Sequence, residues 1–137
     1  MAAHNNFAQL LGVDQVSNFA LAEIVENGLP IEHIQSLREA GLSFTEVSEL
    51  VIAPRTLKHR KSRGEALSPD EADRALRVAR TMTQAESVFG ERERALLWLR
   101  TPDARLSERT PLSLLRTESG GRLVEEMLWQ IDEGVYS

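Results

Sequence analysis

The stretch Gly41–Gly64, GLSFTEVSELVIAPRTLKHRKSRG, sets a helix, a tight break and a second, strongly basic helix one after another. Ser43 suits an N-cap, its hydroxyl satisfying an otherwise free amide, and Glu46 three residues on completes a capping box. Phe44, Val47, Leu50 and Val51 then recur at helical spacing on one face. Pro54 fits the first turn of a further helix, where its missing N–H costs nothing. The pattern predicts a helix-turn-helix. Its second helix carries Arg55, Lys58, Arg60, Lys61 and Arg63 with no acid among them and a single apolar anchor, Leu57. Such a helix has little to bury and much to offer a phosphate backbone.

A plainer alternative is a solvated helix end, where cations are also favoured. The charge distribution argues against it. Residues 1–52 hold one basic side chain, Arg38, and seven acidic ones; residues 53–80 hold eight basic and four acidic; residues 81–137 hold seven basic and ten acidic. A chain of net charge −5 thus gathers half of its 16 Lys and Arg residues in about a fifth of its length, a local electropositive site within an acidic protein. In helix-turn-helix docking the N-terminal part of the second helix faces the bases. Arg55, Thr56 and His59 are therefore expected nearest base edges, with Lys58, Arg60, Lys61 and Arg63 on phosphates. One short helix reads too few base pairs for useful specificity, so a dimer on an inverted repeat is expected.

Outward from this stretch, apolar residues are spread at helical spacing throughout the 137 residues, and no segment shows sustained strand alternation. The fold class expected is all-α. Residues 1–16 read as an N-terminal extension in which Phe7, Leu10 and Leu11 could dock. A helix from about Asn18 to Asn27 follows, capped by Ser17, with Phe19, Leu21, Ala22, Ile24 and Val25 as its apolar side and Gly28 and Pro30 ending it. The next runs from about Ile31 to Ala40, with Ile31, Ile34 and Leu37 inward. With the helix-turn-helix these complete a DNA-binding head over residues 17–66.

Ser68-Pro69-Asp70-Glu71 is the clearest helix start in the chain: N-cap, proline at the first position and capping-box carboxylate. It opens a connecting helix, residues 67–89, with Ala72, Ala75, Leu76, Ala79, Met82, Ala85 and Phe89 on one face. Arg74, Arg77 and Arg80 read as ordinary surface, Arg74 and Arg77 in weak i,i+4 pairs with Asp70 and Asp73. Residues 90–137 form a second domain. A helix near Glu91–Arg100, a loop, a short helix opened by Thr110-Pro111 and a last helix from Glu118 are expected there. Gly120, Val124, Met127, Leu128 and Ile131 share one face of the last helix, and Gly120 would let another backbone approach closely. Trp129 points instead with Arg122, Glu125 and Glu133, either as a partly exposed residue or as an interface anchor. Gly134 ends the helix and releases Val135, Tyr136 and Ser137. Tyr136 on so short a stem suits a concave partner site, though on residue type alone it suits folding back near Leu123 or Trp98 equally well.

Three His and no Cys leave no metal-ligand spacing, and HExxH, GxGxxG, P-loop and GxSxG motifs are missing. The carboxylates fit helix starts and i,i+4 pairs. No cofactor or metal is expected, and the chain reads as a binder, not an enzyme. No apolar run reaches membrane-spanning length, and the N-terminus shows no secretion signal, so no membrane partner and a cytoplasmic location are expected.

From about Leu29 to Ser137 the chain resembles the Xre/MbcA/ParS-type antitoxins, the partners of RES-domain toxins. The resemblance is carried by TLKHRKSRGEALSPDEADRALRVAR, FGERERALLWLRTP and RTPLSLLRTESGGRLVEEMLWQIDEGVY. Its most specific part is the succession Phe89-Gly90, Trp98-Leu99, Arg109-Thr110-Pro111, Leu114-Leu115 and Gly134-Val135-Tyr136. The resemblance implies an Xre-like head that binds its own promoter and a C-terminal module that neutralises a NAD-depleting RES toxin by covering its substrate entrance. It also implies a homodimer and a higher toxin–antitoxin complex. It favours a tail that faces the toxin, so Trp129, Glu133, Gly134, Val135, Tyr136 and Ser137 are the toxin-binding residues expected, Trp129 standing where a small residue is more typical of the family. The glycine usual in a helix-turn-helix turn is replaced by Val51-Ile52-Ala53-Pro54. Two other function classes are open to the chain: a free-standing repressor whose C-terminal helices only dimerise, and a structural adaptor without DNA binding.

Overall fold

Helix follows helix over residues 18–134, the part that the computed structural model describes: α1 (Asn18–Asn27), α2 (Glu32–Glu39), α3 (Phe44–Leu50), α4 (Pro54–Arg63), α5 (Pro69–Phe89), α6 (Arg92–Leu99) and α7 (Glu118–Asp132). Two 3-10 segments, Ala104–Leu106 and Leu112–Arg116, lie between α6 and α7. No strand occurs among the described residues, and an isolated bridge joins Asp103 to Arg109. The all-α expectation holds. Two compact units divide the chain within α5, one ending at Ala79 and the other starting at Arg80. The expected cap Ser17, the docking residues Phe7, Leu10 and Leu11, and the tail Val135–Ser137 lie outside the described residues.

In the first unit both capping boxes form. The Ser43 hydroxyl accepts from Glu46 N at 3.1 Å while Ser43 N donates to Glu46 Oε1 at 2.8 Å, and Ser68 and Glu71 exchange the same pair at 3.2 and 2.8 Å. α4 begins at Pro54 and stops at Gly64, whose φ of 66° is the left-handed cap that a residue without Cβ adopts freely. The turn between α3 and α4 needs no glycine because it keeps negative φ, −123° at Val51 and −65° at Ala53. Val51 and Ile52 are instead buried plugs, and their amides both bond to Val47 O. The branched side chains that looked out of place in a turn are core.

Two expectations in this unit are corrected. Phe19 was placed on the apolar side of α1, but α1 buries no residue and Phe19 is 73% exposed. At about 100° per residue Phe19 falls opposite Leu21, Ile24 and Val25, which are the half-covered ones. Phe44 was placed inward with Val47 and Leu50, yet it sits at the first turn of α3 and is 52% exposed. The Arg38 guanidinium lies over its ring, 5.9 Å from the centroid.

The second unit is built on Met82 and Ala85 of α5, Leu99 of α6, Leu112 and Leu115 of the second 3-10 segment, and Val124, Met127 and Leu128 of α7, all buried. Phe89 and Trp98 stack tilted at 5.6 Å. The short helix expected after Pro111 is 3-10, with Ser113 N on Thr110 O and Leu114 N on Pro111 O. This tighter turn brings the Leu114 carbonyl against α7, and a Cβ placed on Gly120 would lie only 2.0 Å from its oxygen. Gly120 therefore has the close-approach role expected of it. The amide of Gly120 is satisfied by the Thr117 cap at 3.0 Å. The loop before the 3-10 segment holds Ser107 and Glu108 at φ 57° and 66°, consecutive left-handed conformations in residues that carry side chains.

Candidate functional site

α4 presents most of the expected DNA-binding residues to solvent. Arg55, Lys58, His59, Lys61 and Arg63 are exposed and Thr56 is half-buried. Leu57, buried, fixes which way the helix faces. With about 100° per residue, Arg55 and His59 fall opposite Leu57, at the centre of the outward surface, flanked by Lys58, Ser62 and Arg63. Ser62 is turned to the backbone, its hydroxyl donating to His59 O at 2.9 Å. Lys61 lies toward the Leu57 side, at the rim of a groove between α2, α3 and α4.

Arg60 departs from its expected place on a phosphate. Its Nε donates to Glu71 Oε1 at 2.7 Å and its Nη2 to Glu71 Oε2 at 3.0 Å, a bidentate pair, while Nη1 reaches Glu65 Oε1 at 3.1 Å. The Glu71 side chain is only 8% exposed and also accepts the Ser68 amide. One carboxylate thus closes the cap of α5 and grips the last turns of α4. Burial opposes the Glu71 charge, but the hydrogen bonds from Arg60 and Ser68 together outweigh it and hold its carboxyl below the ordinary range. Arg60 is correspondingly held more firmly protonated, chiefly through its hydrogen bond to Glu71. Arg74, read as ordinary surface paired with Asp70, donates its Nε to Val51 O at 2.9 Å and so ties α5 to the turn before α4.

Glu71 and Arg74 are the residues whose part beside the basic helix sequence reasoning missed: Glu71 holds Arg60 of α4, and Arg74 holds the turn before it. A signal for Arg60 was present, since it lies only about 60° around the helix from the buried Leu57. No local signal pointed to its partner eleven residues away. The second expected phosphate contact with an acidic neighbour, Arg63, is paired loosely, 3.9 Å from Glu65 with both side chains open to water. Such a pair is easily exchanged for a phosphate.

In the second unit, Trp129 is 55% exposed on α7, on the side of Arg122, Glu125 and Glu133, which are exposed as well. Glu133 caps the helix and Gly134 follows at φ 81°, so the chain leaves α7 where the sequence indicated. Val135, Tyr136 and Ser137 lie beyond the described residues. Leu97 and Leu123 are further large apolar side chains open to solvent. Near by in sequence, the loop after α6 is locked by Asp103, which accepts from Arg105 N at 2.8 Å and from Arg105 Nη2 at 2.7 Å. The Arg105 side chain and amide hold the Asp103 carboxyl below its ordinary range.

A helix-turn-helix head with an outward cationic helix is followed by a second helical unit that leaves Trp129 open to solvent, the architecture of a two-part helix-turn-helix protein. Residues 20–80 match the antitoxin Xre-like helix-turn-helix domain and residues 84–134 the antitoxin Xre/MbcA/ParS C-terminal toxin-binding domain. The chain is 39% identical over 118 residues to an antitoxin Xre of Pseudomonas putida, covering 86% of this chain and 74% of the relative. It is 28% identical over 130 residues to an antitoxin Xre of Yersinia enterocolitica, covering 93% and 88% of the two chains. The chain belongs to the Xre antitoxin family. Among the described residues no helix is long and apolar enough to cross a membrane.

Proposed function

We propose that this chain is the antitoxin of a type II toxin–antitoxin pair, that it neutralises a RES-domain toxin which degrades NAD, and that it represses its own operon. In this reading residues 17–66 bind an inverted repeat in the promoter as a dimer, residues 67–89 connect, and residues 90–137 hold the toxin. The carrying observation is the succession, in one chain of this family, of the exposed Arg55, Lys58, His59 and Arg63 surface and the toxin-binding domain match. Arg55, Thr56 and His59 read bases, while Lys58 and Arg63 hold phosphates; Lys61, expected with them, stands at the rim of the groove instead. Arg60 is left out of the phosphate set because Glu71 occupies it. Trp129, Glu133 and the segment from Gly134 to Ser137 contact the toxin, covering its substrate entrance. The chain itself carries no catalytic step and acts in the cytoplasm.

Co-expression with the RES toxin tests the reading: the full chain restores growth, and removing Val135–Ser137 weakens the complex by at least about 1 kcal/mol in calorimetry. Unprotected cells, with no heat of binding for the full chain, overturn it. Light scattering and footprinting test the dimer: a monomeric mass with a single protected half-site is the contrary result.

A further inference from the structure

The head carries two complementary features away from its DNA-facing surface. On α1, Phe19, Ala22, Glu23 and Glu26 fall at i, i+3, i+4 and i+7, one stripe along the helix, and all four are exposed. On the same head, α2, α3 and α4 enclose a groove of about 440 Å³. Ile34, Val47 and Leu57 form its apolar floor, and Phe44, Arg38, Lys61 and Glu32 stand around it. Phe19 does not line the groove of its own chain. Two residues beyond the end of α1, Leu67 N donates to Leu29 O at 2.9 Å.

We propose that this groove receives Phe19 from a second copy of the chain, and that the exchange is reciprocal across a two-fold axis. Amphipathic helices recognise grooves through anchors at this spacing, and a groove of this size accommodates an aromatic ring with its flanking residues. The charges are complementary: the α1 stripe brings two carboxylates, Glu23 and Glu26, while the groove offers Arg38 and Lys61 against the single carboxylate of Glu32. Phe44, half open at the rim under the Arg38 guanidinium, gives the incoming ring an aromatic neighbour. Donor and acceptor surfaces both belong to this chain, so two copies satisfy each other in a closed pair. The groove borders α4 on its Pro54, Leu57 and Lys61 side, so an occupant leaves Arg55 and His59 uncovered. The proposal rests on the dimer of the preceding section and names its surface.

The natural sequence has no Cys, which makes cross-linking clean. Full-length Ala22→Cys and full-length Ser48→Cys are mixed and oxidised; a cross-linked pair of the two chains is expected, and none when Glu125→Cys replaces Ser48→Cys. In sedimentation velocity Phe19→Asp raises the dimer dissociation constant at least about 30-fold, while the helical circular dichroism of the folded chain is unchanged, since Phe19 is exposed in the single chain. A wild-type dimer that ignores Phe19→Asp and gives no Ala22–Ser48 cross-link overturns this surface while leaving the dimer itself standing. A monomeric wild type removes both. A chain carrying both cysteines that cross-links at monomer mass assigns Phe19 to its own groove and overturns the exchange.

Discussion

The head aims its functional helix with charge, whereas the C-terminal unit fixes its own by contact. α4 is turned outward by one buried leucine and by the grip of Glu71 on Arg60, with Arg74 on the turn before it. α7 is set by apolar packing, by the Leu114 carbonyl lying against Gly120 and by Gln84 of α5, whose Nε2 donates to Glu125 O at 3.2 Å. The difference teaches that the two helices fail by different physics. Protons disturb the first, and added volume disturbs the second.

The largest effect expected is therefore steric. Gly120→Leu places side-chain atoms where the Leu114 oxygen stands and destabilises the C-terminal unit by roughly 3 kcal/mol or more, at the upper end of overpacking costs. Thermal unfolding and toxin binding both register it, while gel-shift affinity for promoter DNA stays within twofold. Equal loss of DNA binding would break the comparison.

Next comes the clamp. Glu71→Gln removes charge-assisted hydrogen bonds at a nearly buried site and lowers head stability by about 1.5–3 kcal/mol. The pH dependence has a definite sign. Because the Glu71 carboxyl titrates below its ordinary value of 4.5, its contribution is complete above about pH 4.5 and is lost as pH falls through the lower folded value. Melting temperatures followed from pH 7 to pH 3 should show this acid loss in the wild type and a smaller one in Glu71→Gln. Identical curves would remove the clamp from the account.

The contacts proposed for α4 are smaller. Arg55→Ala relaxes base preference at a cost of about 1–3 kcal/mol, and Lys58→Ala weakens all sequences alike and lowers the salt slope by about one. Arg60→Ala should leave the salt slope unchanged even though it lowers stability; a slope lowered by one would return Arg60 to the phosphates.

These residues also show how far the sequence could be read. The helix-turn-helix, both capping boxes, the close approach at Gly120 and the outward Trp129 are local matters, decided by residues within a turn or two, and all were legible. Phe19 was misplaced because composition was read without the angle it makes with Leu21 and Ile24. Arg60 and Arg74 were misplaced for another reason. Their partners, Glu71 and the Val51 carbonyl, lie eleven and twenty-three residues away, and one of them is a backbone group that no side-chain pattern reveals.

The smallest effect sharpens the picture of the second unit. Ser107→Gly or Glu108→Gly relieves a left-handed backbone position, and part of the gain is offset by the freer unfolded chain, so each should stabilise by about 0.5–1 kcal/mol. Chemical denaturation measures this directly. A loss of stability would mean that the two side chains have structural partners of their own.

The most direct test of two separable surfaces is a crossed titration by calorimetry, with Arg55→Ala/Lys58→Ala and the chain lacking Val135–Ser137 each measured against promoter DNA and against the proposed RES-domain toxin. The account predicts that the first loses DNA affinity at least tenfold and keeps the toxin, and that the second does the reverse. Either variant losing both ligands together, or neither losing any, would contradict it.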